Sequence, residues 1–131
     1  MSDLNLYKAR RAEVAKRMED NSILMLASSK LVSRNNDTTF PFRQDSNFFY
    51  LTGFQEPDSI LMVYSDGRSI LFCREKNPDL EKWDGFMWGP EAAQEKFGFD
   101  EAYDISLIDE ILPNLIRGYK TLNTLIGKNL D

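Results

Sequence analysis

Apolar positions along this chain change their period several times, and each change marks an element. Residues 5–18 set Leu6, Ala9, Val14, Ala15 and Met18 broadly on one face with charges on the other, the spacing of an amphipathic helix. Asp20-Asn21 ends it, and residues 22–27, Ser-Ile-Leu-Met-Leu-Ala, form a short apolar run whose length and flanking turn residues favour a buried strand. Residues 28–39 are polar, carry Asn35-Asn36-Asp37 and read as a loop. Thr39-Phe40-Pro41-Phe42-Arg43 is expected to be extended, because a proline disfavours helix at the residue before it. Residues 47–51 are rich in aromatics, and Gly53 marks a turn.

The second half is punctuated more sharply. Residues 59–64 and 68–73 are apolar runs flanking Ser65-Asp66-Gly67, and Asp-Gly between two such runs is a strong hairpin signal because the tight turn needs a positive φ. Residues 77–89 show no clear period and contain both tryptophans. Gly89-Pro90-Glu91 opens a helix with proline at its first position and an acid in its first turn, and Gly98 closes it. Residues 101–105 predict a short strand. Ser106-Leu107-Ile108-Asp109 resembles a capping box opening a helix to about Tyr119, with Pro113 as an internal liability. Residues 121–126 predict a last strand. The order is helix, three or four strands, helix, strand, helix, strand. That order implies an α/β fold: a mixed β-sheet flanked by helices, an antiparallel hairpin first and crossover helices feeding later strands.

Composition narrows the function. The 131 residues suit one domain spanning 1–131, and 42% hydrophobic with 28% charged residues is an ordinary globular balance. Asp and Glu outnumber Lys and Arg by 21 to 16, for a net charge of −5, the reverse of what a phosphate-backbone binder needs, so no nucleic acid is expected. The one basic cluster, Lys8, Arg10, Arg11, Lys16 and Arg17, lies on the first helix and reads as its solvated face. No apolar run approaches a membrane span and the start lacks a signal-peptide pattern, so no membrane partner and a cytoplasmic location are expected. The single cysteine, Cys73, lies in an apolar strand and reads as a buried, unreactive thiol. There are no histidines, which removes Ser-His-Asp and Cys-His catalysis and imidazole-built zinc sites from this chain. No clustered carboxylate motif suggests an all-oxygen metal site either. The expectation is a domain with no catalytic residue and no bound metal of its own.

Two segments go beyond a generic α/β reading. One is Phe40-Pro41-Phe42-Arg43-Gln44-Asp45-Ser46-Asn47-Phe48-Phe49-Tyr50-Leu51-Thr52-Gly53-Phe54-Gln55-Glu56-Pro57-Asp58. The other is Glu81-Lys82-Trp83-Asp84-Gly85 leading to Gly89-Pro90-Glu91-Ala92-Ala93. Together they resemble the amino-terminal domain of aminopeptidase P, in the creatinase/prolidase superfamily. Tyr7, Arg10-Arg11 and Met18 match that family's first helix, and Arg34 with Asp37 its loop before the long motif. The resemblance covers essentially the whole chain.

The resemblance implies a ribonuclease H-like α/β domain that precedes a "pita-bread" domain holding two manganese ions, a domain absent from this chain. It implies an enzyme that removes an amino-terminal residue preceding proline, and a homo-oligomer, dimer or tetramer. It also implies that Trp83 reaches the substrate-site wall, often that of a neighbouring subunit, with Asp37 and Arg34 as further wall or interdomain residues. Arg43, Asp45 and Glu56 are expected in structural ion pairs. Where the family often carries basic residues after Trp-x-Gly, this chain has Phe86-Met87-Trp88, expected at a subunit interface. The alternatives are a catalytically inactive peptide- or protein-binding module of the same fold and a purely structural oligomerisation domain. The chain stops soon after its last predicted strand, and the expectation is a domain separated from a longer polypeptide.

Overall fold

In a computed structural model that describes residues 3–28 and 46–124, the apolar runs become the strands of a single sheet. The elements are α1 (Asp3–Lys16), β1 (Ser22–Ala27), α2 (Ser46–Thr52), β2 (Ile60–Tyr64), β3 (Ser69–Cys73), α3 (Pro78–Asp84), α4 (Pro90–Phe97), β4 (Glu101–Asp104), a 3-10 turn (Ile105–Leu107), α5 (Ile108–Ile116) and β5 (Thr121–Thr124). The strand order is β4-β3-β2-β1-β5. β1, β2 and β3 are antiparallel neighbours, whereas β5 runs parallel to β1 and β4 parallel to β3. The expected mixed sheet flanked by helices is therefore present. The predicted loop over residues 28–39 and the extended segment at 39–43 lie almost wholly outside the described residues.

The central strands are apolar without alternation because both faces of the sheet are covered. On one face Leu24, Leu26, Leu61, Val63, Leu71 and Cys73 pack with Ala15 of α1, Phe48 and Leu51 of α2, and Ala93 of α4. On the other, Ile23, Met62, Tyr64, Ile70 and Phe72 pack against α5 through Ile108, Ile111, Leu112 and Leu115. Complete burial of rings such as Phe48, Phe54 and Phe72 is worth about 1.5–3 kcal/mol each.

The hairpin forms as Asp66-Gly67 predicts. The Gly67 N–H donates to Tyr64 O (2.9 Å), the Tyr64 N–H donates to Arg68 O (2.8 Å), and Gly67 takes φ 100°. The result is a three-residue loop closed by a glycine bulge. One local reading is corrected, and the unassigned aromatic run gains an element. The aromatic run at 47–51 is helical, with Phe48 and Leu51 turned into the core and Tyr50 outward. The side-chain cap here is Asp104 rather than Ser106: its carboxylate accepts the Ser106 N–H at 3.0 Å and caps the 3-10 turn that leads into α5, while α5 itself starts after Leu107 with no side-chain cap. The aspartate stands at the end of β4, where the chain turns, and takes the first free donor.

Candidate functional site

Trp83 stands in the last turn of α3 with 85% of its surface exposed. The local sequence explains the helix. The Asn77 side chain accepts the N–H groups of Asp79 (3.0 Å) and Leu80 (3.3 Å), Pro78 takes the first position, and Asp79 and Glu81 place negative charge in the first turn. Periodicity misses this seven-residue helix, but Asn-Pro-Asp followed by Glu81 is its start signal.

The five residues after α3, Gly85 to Gly89, are irregular in backbone yet closely tied. Glu81 Oε2 accepts both the Lys76 ammonium (3.0 Å) and the Met87 N–H (2.8 Å), while Lys76 Nζ also donates to Met87 O (3.0 Å). These contacts, the Met87 N–H foremost and Lys76 second, pull the Glu81 carboxyl below its ordinary pKa. At the next residue the Trp88 N–H donates to Glu56 Oε2 at 2.6 Å, and Glu56 Oε1 is 3.5 Å from Arg74. Glu56 thus has the structural ion pair expected of it.

An aromatic series continues inward from this segment. Phe86 meets Trp88 edge-on at 5.0 Å, Trp88 meets Phe97 at 5.3 Å, and Phe97 meets Phe54 at 5.2 Å. Lys76 Nζ lies 4.5 Å from the centre of the Phe86 ring. The expected interface trio divides. Phe86 is 62% exposed and Trp88 is half-buried, whereas Met87 is 1% exposed and belongs to the domain interior. A peptide tied on both sides by the Glu81–Lys76 pair turns the Met87 side chain inward. Beside Trp88, an open groove of about 430 Å³ is bordered by Glu75, Lys76, Pro90, Glu91 and Glu95.

Arg34 and Asp37, with Arg43 and Asp45, lie outside the described residues. Trp83, Phe86 and Trp88 are therefore the expected site residues with a described place on the surface, and they share one segment.

Arg11 requires a correction. It is 2% exposed rather than part of a solvated face. Its guanidinium donates to Leu51 O (2.8 Å), Phe97 O (2.9 Å) and Gly98 O (3.3 Å), and lies 4.6 Å from the centre of the Phe99 ring. One buried cation thus satisfies carbonyls at the carboxy-terminal ends of α2 and α4, where the helix dipoles favour positive charge. Burial pulls its pKa down to about 10, against the opposing pull of Asp100, so it remains charged at neutral pH. Arg10 does related work outside, donating to Tyr50 O (3.0 Å) and stacking on the Tyr50 ring at 4.1 Å.

Cys73 is buried, and burial pushes its thiol up to about 12, with Glu56 and Asp104 adding to the shift. That setting suits packing and not nucleophilic attack. Among the described residues, no group of three or more His, Cys, Asp or Glu is placed to hold a metal ion, and no helix is long and apolar enough to cross a membrane. The exposed chemistry of the candidate site is a flat aromatic surface on a fixed support.

Comparison with known proteins follows the same outline. The family described as "Aminopeptidase P, N-terminal domain" matches residues 7–124. A Xaa-Pro aminopeptidase of Haemophilus influenzae is 40% identical over 119 residues, covering 88% of this chain and 28% of that protein. Xaa-Pro aminopeptidase 3 of Homo sapiens is 38% identical over 103 residues, covering 73% of this chain and 20% of that protein. Among solved structures, a variant of Escherichia coli aminopeptidase P in complex with substrate has a TM-score of 0.84 at 33% identity, covering 93% of this chain and 28% of that one. The chain spans 20–28% of the length of these three relatives. Since the match runs from the first helix to the last strand and the solved fold agrees with it, this chain belongs to the aminopeptidase P N-terminal domain family.

Proposed function

We propose that this chain is the non-catalytic amino-terminal domain of a manganese-dependent Xaa-Pro aminopeptidase, and that it supports removal of an amino-terminal residue preceding proline without performing it. The observation that carries this reading is Trp83, 85% exposed on a segment tied by Glu81, Lys76 and Glu56. A large apolar side chain is costly to leave in water, and a site that must receive a proline ring is a use for it. Indole offers a rigid flat surface to the apolar, puckered pyrrolidine ring. In this reading Trp83 forms part of the substrate-site wall, within its own subunit or a neighbouring one, and Arg34 and Asp37 contribute to the wall or to an interdomain contact. Phe86 and Trp88 lie at the contact between copies in a dimer or tetramer, and Met87 supports them from beneath. The two metal ions and the hydrolytic chemistry belong to a following domain, and the enzyme works in the cytoplasm.

The reading is tested on the natural polypeptide, detected with an antibody to this domain and assayed for release of a residue preceding proline before and after chelation. The expected result is a mass well above 15.2 kDa, larger by a domain of about 200 or more residues, with activity that chelation abolishes and manganese restores. A natural polypeptide of 15.2 kDa, or a larger one without the activity, overturns the reading and leaves an inactive binding module.

A further inference from the structure

We infer that Glu81 and Glu56 are positioning residues that hold the tryptophan-bearing segment in its presenting geometry; the inference rests on the wall role proposed for Trp83. Glu81 and Trp83 are two positions apart on α3, which sets them about 200° apart around the helix axis. Fixing Glu81 on the inner side therefore fixes Trp83 on the outer side. Glu81 is fixed from both ends of its helix, by Lys76 before it (3.0 Å) and by the Met87 N–H after it (2.8 Å). Lys76 closes the ring by donating to Met87 O at 3.0 Å.

Glu56 holds the next peptide. Its Oε2 accepts the Trp88 N–H at 2.6 Å, and it comes from the loop between α2 and β2. Two successive backbone N–H groups, at Met87 and Trp88, thus each meet a carboxylate, and the two carboxylates come from different elements. Hydrogen bonds to charged acceptors are among the stronger ones. Such a support removes the cost of ordering the segment when substrate arrives.

The test uses amide hydrogen exchange on this chain, followed by kinetics on the natural polypeptide. Glu81→Ala is expected to speed exchange at Met87 by about ten- to a hundredfold, the range that loss of a hydrogen bond to a charged acceptor commands. Exchange at Ile70 and Leu71 of β3, which reports global opening, should stay as it was. Glu81→Gln keeps an acceptor oxygen and should restore part of the protection. Glu56→Ala should act at Trp88 as Glu81→Ala acts at Met87, and Glu81 keeps the test open if that buried substitution unfolds the chain. In the natural polypeptide, Glu81→Ala should raise KM for a peptide with proline second, leave kcat near its original value, and add nothing to Trp83→Ala.

Fast exchange at Met87 and Trp88 in the unaltered chain overturns the positioning role, as does acceleration of every amide together. A KM that responds to Trp83→Ala and not to Glu81→Ala overturns it as well. If Trp83→Ala leaves KM unchanged, the wall role fails, and the exchange pattern still decides whether the two carboxylates hold the segment.

Discussion

The ring of Tyr7 lies against the backbone of Gly53, so close that a β-carbon at Gly53 would stand 2.5 Å from Tyr7 Cε2. Gly53 also holds φ at 71°, and it accepts this role at the exit of α2, where its N–H donates to Phe49 O at 2.8 Å. Tyr7 in turn meets Phe49 edge-on at 6.1 Å. The approach of α1 to α2 is set by what is missing at Gly53.

Gly53→Ala should therefore destabilise the domain by about 2 kcal/mol or more, from left-handed backbone strain and a steric clash together. Tyr7→Ala in the same chain removes the clash and leaves the strain, so the double variant should lose less than the sum of the singles. Urea denaturation of the four chains measures this. Simple additivity would mean that the ring does not press on Gly53.

Arg11→Met removes the donor from Leu51, Phe97 and Gly98. It leaves buried carbonyls without their cation, and a loss of about 3 kcal/mol is expected. Arg11→Lys should recover little, because one ammonium cannot span carbonyls on two helices as a forked guanidinium does. Thermal unfolding distinguishes this from the solvated-face reading, in which both variants are nearly neutral.

Much of the fold was legible, and the exceptions have two causes, distant partners and short helices. Asp66-Gly67 specifies its hairpin locally, and Gly89-Pro90-Glu91 with Gly98 brackets α4 from within the segment itself. The continuous apolar strands report that both sheet faces are covered. Part of what escaped depends on residues far apart in the chain. Arg11 is buried because α2 and α4 both end beside it, some 40 and 86 positions later. Glu56 meets Trp88 across 32 positions. α2 and α3 have seven residues each, too few to display a period. For the site, the Trp-x-Gly match selected Trp83, but nothing local distinguished outward Phe86 from inward Met87.

Cys73 supplies a pH test with a definite sign. Its folded pKa is raised from 9.0 to about 12, so the unfolded thiol ionises first as the pH rises. The associated stability is fully present below pH 9 and is lost as the pH climbs from 9 towards 12. Tyr64, raised to about 12 by burial, adds a loss at the upper end of that range. Stability measured across the range should fall more steeply for the unaltered chain than for Cys73→Ala. Thiol-specific reagents should react only at the rate of unfolding; prompt labelling under native conditions would place the thiol at the surface.

The most direct test of the account is steady-state cleavage of a peptide with proline second by the natural polypeptide carrying Trp83→Ala. Trp83 is 85% exposed, so its truncation should change stability by no more than about 0.5 kcal/mol. The account predicts that KM rises by about three- to tenfold at nearly constant kcat, as expected when binding surface for the substrate ring is removed. An unchanged KM in a fully folded variant would contradict the claim that this domain contributes Trp83 to the substrate site.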